Sequence, residues 1–232
     1  SRAVSEISAI LLMASTELLP YSRSIFGDLS CTLLGFAAFC LIGMMDEKSF
    51  WPAALAGFCL GLSVMVRPVT GLFVAPFAMY LAMQWGRLRL TARVQLRQFL
   101  AAITPFALLC AALLVFNRHA YGSPFSTGYR SEMFGFDLPL SVGVPQILFS
   151  WEKGFFVYSP SVILSLLFWR QFHRAHPAES ATAILYAALY VYIYGSWYAS
   201  SPGLEISYGQ RFLLPLVPFA FLAVPACLSR WS

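Results

Sequence analysis

Eight apolar runs fill most of this 232-residue chain, at roughly 4–20, 29–45, 52–66, 69–85, 99–116, 156–169, 181–198 and 211–228. A helix crosses the hydrocarbon core of a bilayer in about 20 residues. Lipid offers no partner to a backbone amide, so runs of this kind are stable there only when the helix satisfies its own hydrogen bonds. The expected fold class is all-α: a polytopic transmembrane helical bundle of about eight membrane helices, with residues 1–232 as a single transmembrane domain. The third and fourth runs are short and meet at Arg67-Pro68. Proline disfavours helix at the residue before it, so a tight hairpin is expected there, with its turn near a membrane face.

Composition excludes the soluble alternative. Hydrophobic residues make up 59% of the chain, charged residues 11%, and the mean hydropathy is +0.71. A soluble domain carries roughly a quarter charged residues, so this chain cannot clothe itself in a polar surface. The five cysteines, Cys31, Cys40, Cys59, Cys110 and Cys227, all lie in apolar runs without metal-ligand spacing. They read as packed free thiols. The net charge of +5 belongs to loops, and no nucleic-acid partner is expected. Ser1 opens almost directly into the first run, with no charged segment and cleavage site of a signal peptide. The chain is expected to be a piece lacking N-terminal helices.

The basic residues orient the bundle. The segment GRLRLTARVQLR at 86–97 holds Arg87, Arg89, Arg93 and Arg97. Placed inside, it shares its side with Lys48, Arg170, Arg174 and Arg230. The other side then receives Arg23, Arg67, Arg118, Arg130, Lys153 and Arg211 together with Asp28, Glu132, Asp137, Glu152 and Glu205. The longest polar loop, from Asn117 to about Phe155, faces outward, and its aromatics suit an amphipathic segment at the interface.

Two segments on that outer side combine aromatics, charge and turn residues beside apolar runs: SWEKGFFVYSP (150–160) and SYGQRFLLPLVP (207–218). Charge beside a bilayer is costly and usually functional. With LLPYSRSIFGD (18–28), GLSVMVRP (61–68) and NRHAYGSPFSTGY (117–129), they occur in an order that resembles the polyprenol-phosphate-sugar-dependent glycosyltransferases of the GT-C fold. That group includes the protein O-mannosyltransferases and the aminoarabinose transferases that modify lipid A. The resemblance covers nearly the whole chain, after the family's first helices. It implies a multi-pass protein of a bacterial inner (cell) membrane that transfers a sugar from a lipid-linked phosphate donor to an acceptor at the external face. It also implies that the acidic residue of the family's first external loop, thought to be the catalytic base, lies outside this chain. The family's second acid follows an arginine in the next external loop, and PYSRSIFGD carries Arg23 and Asp28 at a comparable place. Asp28 is the catalytic residue carried over, with Arg23 at the substrate.

The chemistry of such a transfer needs a base near the acceptor and positive charge near the departing phosphate, around a sugar carbon with oxocarbenium character. Arg67, Lys153 and Arg211 are expected at the outer face, where a headgroup would sit, and the planar fork of arginine suits two phosphate oxygens. Tyr158, Tyr208 and Trp197 are candidates to stack on the sugar. The partners implied are the lipid-linked sugar donor, membrane lipids and an acceptor that the sequence does not identify. No cofactor is expected, and divalent-metal dependence stays open.

Each position also has a plainer reading. Asp28 suits the start of the helix that follows it. Arg211 suits an interfacial anchor, Lys153 beside Glu152 a solvated ion pair, and Arg67 a helix-end charge. The tyrosines and tryptophan suit an aromatic belt. Glu132 and Glu205 read as exposed outer-loop acids, His119 lacks the spacing of a metal pair, and His173 and His176 fall on the basic side. Two other classes compete with the enzyme: a transporter or flippase of a lipid-linked substrate, and a structural membrane subunit. Transporters often show mirrored halves with midplane sites. Here the charged motifs lie toward one face and no second half mirrors the first.

Overall fold

Proline and close-packed glycine set much of this architecture. The computed structural model describes residues 2–22, 27–126, 135–152, 154–197 and 211–225. Their regular structure is entirely helical. In chain order the helices are α1 (Arg2–Ala14), α2 (Leu18–Tyr21), α3 (Asp28–Gly43), α4 (Trp51–Val66), α5 (Val74–Leu88), α6 (Ala92–Tyr121), α7 (Leu140–Phe149), α8 (Phe155–Tyr158), α9 (Ser161–Ala175), α10 (Pro177–Ser196) and α11 (Val217–Ala220). Two 3₁₀ segments, Pro68–Phe73 and Arg211–Leu216, lead into α5 and α11. The chain forms two compact units: Ser1–Thr32 with Ser131–Ser232, and Leu33–Arg130.

Each expected apolar run overlies a helix, but the helices differ in reach. Among the described residues, two stretches are long and apolar enough to cross a membrane, Pro68–Leu88 and Ala92–Tyr121, with 21 and 30 residues. No residue in the most apolar window of α6 is buried. An apolar helix whose face is left uncovered is unlike the core helix of a soluble protein. The apolar helices Asp28–Gly43, Trp51–Val66 and Leu140–Phe149 are shorter. The run at 156–169 is divided between α8 and α9 around Ser159 and Pro160, and the last run contains Pro215 and Pro218. The loop expected from Asn117 is partly helical: α6 continues to Tyr121, and α7 lies within the segment.

In the unit Leu33–Arg130, α4 packs along α6. A Cβ on Gly57 would stand 1.9 Å from the Ala102 carbonyl oxygen, and one on Gly61 would stand 2.9 Å from Leu109 Cδ1. Four residues apart, these glycines share one helix face, which lets backbones meet as small residues do between membrane helices. Arg67 is extended, at φ −143° and ψ 107°, as proline at the next position requires. The helix therefore breaks there as expected, although α4 takes α6 as its main neighbour and the next segment begins as 3₁₀. At the other end, Gln98 is fully buried and links two elements. Its Oε1 accepts from Trp85 Nε1 at 2.9 Å, and its Nε2 donates to the Asp46 carbonyl at 2.7 Å.

In the other unit, α10 is the central element, packed against α7, α9 and the Arg211–Leu216 segment. A Cβ on Gly143 of α7 would come within 1.8 Å of the Gly195 carbonyl oxygen of α10. Ser165 of α9 accepts the Ala223 amide at 3.2 Å and ties the end of the described chain to the same core.

Candidate functional site

Tyr186, Tyr190 and Tyr194 recur every four residues along α10, so they line one face, and all three are buried. Successive ring centroids are 4.8 and 5.7 Å apart, and the Tyr186 hydroxyl donates to the Tyr190 hydroxyl at 3.3 Å. The 211–220 segment completes an aromatic wall. Phe219 lies 4.5 Å from Tyr186, while Phe212 stacks on Tyr194 at 5.3 Å and meets Trp197 edge-on at 4.7 Å. Offset and edge-to-face pairs of this kind contribute about 0.5–1.5 kcal/mol each beyond area burial.

Arg211 stands at the head of that wall. Its guanidinium carbon lies 4.7 Å from the centre of the Phe212 ring. A cation over a ring face is attracted by the ring's electrons, and the planar guanidinium keeps several N–H donors for an anion.

Asp28 belongs to the same unit. It is 1% exposed and opens α3, where an acid is favoured by the helix dipole. Its carbonyl accepts from Thr32 Oγ1 at 2.8 Å. The helix-start reading of Asp28 thus has a local basis, and a carboxyl so buried also has the seclusion that acid–base groups use. One turn on, Cys31 is buried on the same helix.

The structure adds an acid that the sequence reading passed over. Glu17 is fully buried, and its amide donates to Ser159 Oγ at 3.3 Å. Ser161 Oγ donates to the Ser15 carbonyl at 3.2 Å. The segment leading into LLPYSRSIFGD therefore meets the end of SWEKGFFVYSP. Glu17 lay inside the run at 4–20, and an acid within an apolar stretch was the available signal.

The remaining candidates divide by place. Tyr158 is part-exposed in the first unit, and its hydroxyl donates to the Trp151 carbonyl at 3.3 Å. Arg67 belongs to the other unit, where its carbonyl accepts from the Thr70 amide at 2.9 Å and from Thr70 Oγ1 at 2.8 Å. Arg23, Lys153 and Tyr208 lie outside the described residues, as do Glu132 and Glu205. His173 Nδ1 lies 3.1 Å from Ser180 Oγ, and His119 is exposed in the last turn of α6. No group of three or more His, Cys, Asp or Glu able to hold a metal ion occurs among the described residues.

One unit thus carries two buried carboxyls, a guanidinium and a wall of rings. The carboxyls can accept a proton and the guanidinium can bind an anion, while the rings, buried against one another, form the packed wall behind them. No family model, curated protein or solved structure matches the chain.

Proposed function

We propose that this chain is the membrane-embedded part of a glycosyltransferase of the GT-C type. It would move a sugar from a polyprenyl-phosphate donor to an acceptor at the external face, within a multi-pass bundle of a bacterial inner membrane. One observation carries the reading: three segments of the family-like order, those containing Asp28, Ser159 and Arg211, belong to one compact unit although they are spread across the chain. A structural subunit has no need for two buried carboxyls and an arginine held over a ring. Burial of unneeded ionisable groups is costly, which favours a chemical use.

In this reading Arg211 binds the donor phosphate, with Lys153 and Arg23 as further cations. Asp28 manages a proton at the reacting groups, and Tyr158 and Tyr208 face the sugar. The apolar tail of the donor lies against helix faces in the bilayer.

The test uses the native protein in proteoliposomes supplied with a radiolabelled polyprenyl-phosphate sugar. Label moving from the lipid into a second product supports the transferase. Labelled lipid that changes leaflet without cleavage supports the flippase and overturns this reading.

A further inference from the structure

We infer that the unit Leu33–Arg130 holds an anionic phospholipid, its acyl chain in an apolar groove and its phosphate among cations at one end. The inference rests on the membrane location proposed above and is independent of sugar transfer.

The groove is half-open and lined by apolar residues alone, among them Ile42, Ala53, Phe77, Leu81, Phe99 and Ile103. Its cavity volume is about 90 Å³, which suits a thin chain lying along it better than a compact ligand taken in whole. Its lining reaches the same end of four helices: Ile42 closes α3, Ala53 opens α4, Leu81 is two turns from the end of α5 and Phe99 two turns into α6. The Trp85–Gln98–Asp46 hydrogen bonds fasten these helix ends together. Arg97 reinforces them by donating to the carbonyls of Glu47 and Lys48 at 2.9 and 3.3 Å.

That end is positively charged. Lys48, Arg87, Arg89, Arg93 and Arg97 are exposed there, against two acids, Asp46 and Glu47. Asp46 is engaged locally, accepting the Lys48 and Ser49 amides at 3.0 and 2.6 Å. Helix stability accounts for only part of this charge: Arg87 and Arg89 stand at the C-terminal end of α5, where the dipole favours cations. Arg93 sits in the first turn of α6, where the helix dipole disfavours positive charge. Arg89 caps α5 with φ 52°, a left-handed conformation that glycine or asparagine adopts more readily.

On α6, Arg93, Leu96 and Leu100 recur at three and four residues and share a stripe; the leucines are 57% and 51% exposed and neighbour the groove residues Phe99 and Ile103 along the helix. Gln84, buried one turn beyond Leu81, has an amide nitrogen with no hydrogen-bond partner among the described residues. A phosphate with an attached hydrocarbon chain satisfies both halves of this surface. A neutral lipid brings no negative charge to the basic end, and free phosphate leaves the groove uncovered.

The chain is reconstituted into bilayers of phosphatidylcholine and phosphatidylglycerol in equal amounts, extracted in mild detergent and read by native mass spectrometry. We expect phosphatidylglycerol to be retained over phosphatidylcholine. Arg89→Gln with Arg93→Gln should lower that retention by roughly fivefold per charge removed. Ala78→Trp fills the groove from its exposed side and should lower retention with every charge in place; Ala78→Leu serves if the tryptophan variant does not insert. Equal retention of the two lipids, or groove variants that insert and retain phosphatidylglycerol as before, would overturn the site alone. A chain that does not enter bilayers would overturn the membrane reading and the site together.

Discussion

The backbone amide of Glu17 donates to Ser159 Oγ at 3.3 Å, joining positions 142 residues apart. Beside it, Ser161 Oγ donates to the Ser15 carbonyl. Both pairs sit where a polar group without a partner is costly, so they fix the junction after α1 against the break between α8 and α9. They also bring the two acid-bearing segments into one register. The proposed site therefore depends on a small polar seam inside an apolar unit.

Removing that seam should be measurable. Ser159→Ala deprives a buried amide of its acceptor and should lower stability by about 1–3 kcal/mol. Ser161→Ala removes a donor in a part-buried place and should cost about 1 kcal/mol. Thermal unfolding in detergent reads both. An unchanged midpoint for Ser159→Ala would mean that this bond does not hold the junction.

Glycine contacts give a sharper contrast. Gly57→Ala would drive a Cβ into the Ala102 carbonyl at 1.9 Å, and α4 and α6 would have to separate. The expected loss is about 1–3 kcal/mol. Gly86, inside α5, has nothing within 4 Å of its Cβ position. Gly86→Ala should stabilise by about 0.5–1 kcal/mol, because alanine loses less backbone entropy in a helix. Equal midpoints for the two variants would contradict the packing of α4 on α6.

Much of the helical layout was legible because it follows from local chemistry. Pro68 forces Arg67 out of helix, and the apolar runs mark where helices form. Helix length was less legible, because it depends on what interrupts a run: Ser159 and Pro160 split one apolar stretch into two helices. The Gly57–Gly61 spacing and the Tyr186–Tyr190–Tyr194 ladder were both visible, but a spacing names a face without naming the neighbour. Only folding supplies Ala102 to the first and Phe212 and Phe219 to the second. Asp28 and Arg211 were singled out by their motifs. Glu17 was hidden by the apolar residues around it, and its partner is distant in sequence.

Topology is testable independently of chemistry. The basic segment 86–97 should be cytoplasmic and the segment after α6 external, since arginine concentrates in the first. Single cysteines at Arg93 and Ser123, both exposed, in a background without native cysteine should react with an impermeant maleimide on opposite sides. Labelling of position 93 from outside the intact cell would reverse the assignment and would put the proposed phosphate cations on the wrong face.

The site itself is best tested at Arg211 and Asp28 together, because the two should fail in different ways. Arg211 has its guanidinium carbon 4.7 Å from the centre of the Phe212 ring, and its planar fork can bind two phosphate oxygens. Arg211→Lys keeps the charge and loses that geometry, whereas Arg211→Ala loses both. Charge-assisted bonds contribute about 1.5–3 kcal/mol, so alanine should weaken donor binding by roughly tenfold to a hundredfold and lysine by less. Phe212→Leu leaves the guanidinium but removes its platform, and should fall between wild type and Arg211→Lys. Asp28→Asn keeps size and removes a proton acceptor. In the native protein it should lower turnover by roughly 10²–10⁴-fold, the usual contribution of acid–base catalysis, with donor affinity little changed. Transfer of label from polyprenyl-phosphate sugar, measured against donor concentration, separates the two effects. If Arg211→Ala inserts normally and keeps its donor affinity, Arg211 is an interfacial anchor. If Asp28→Asn keeps its turnover, Asp28 serves only to start α3.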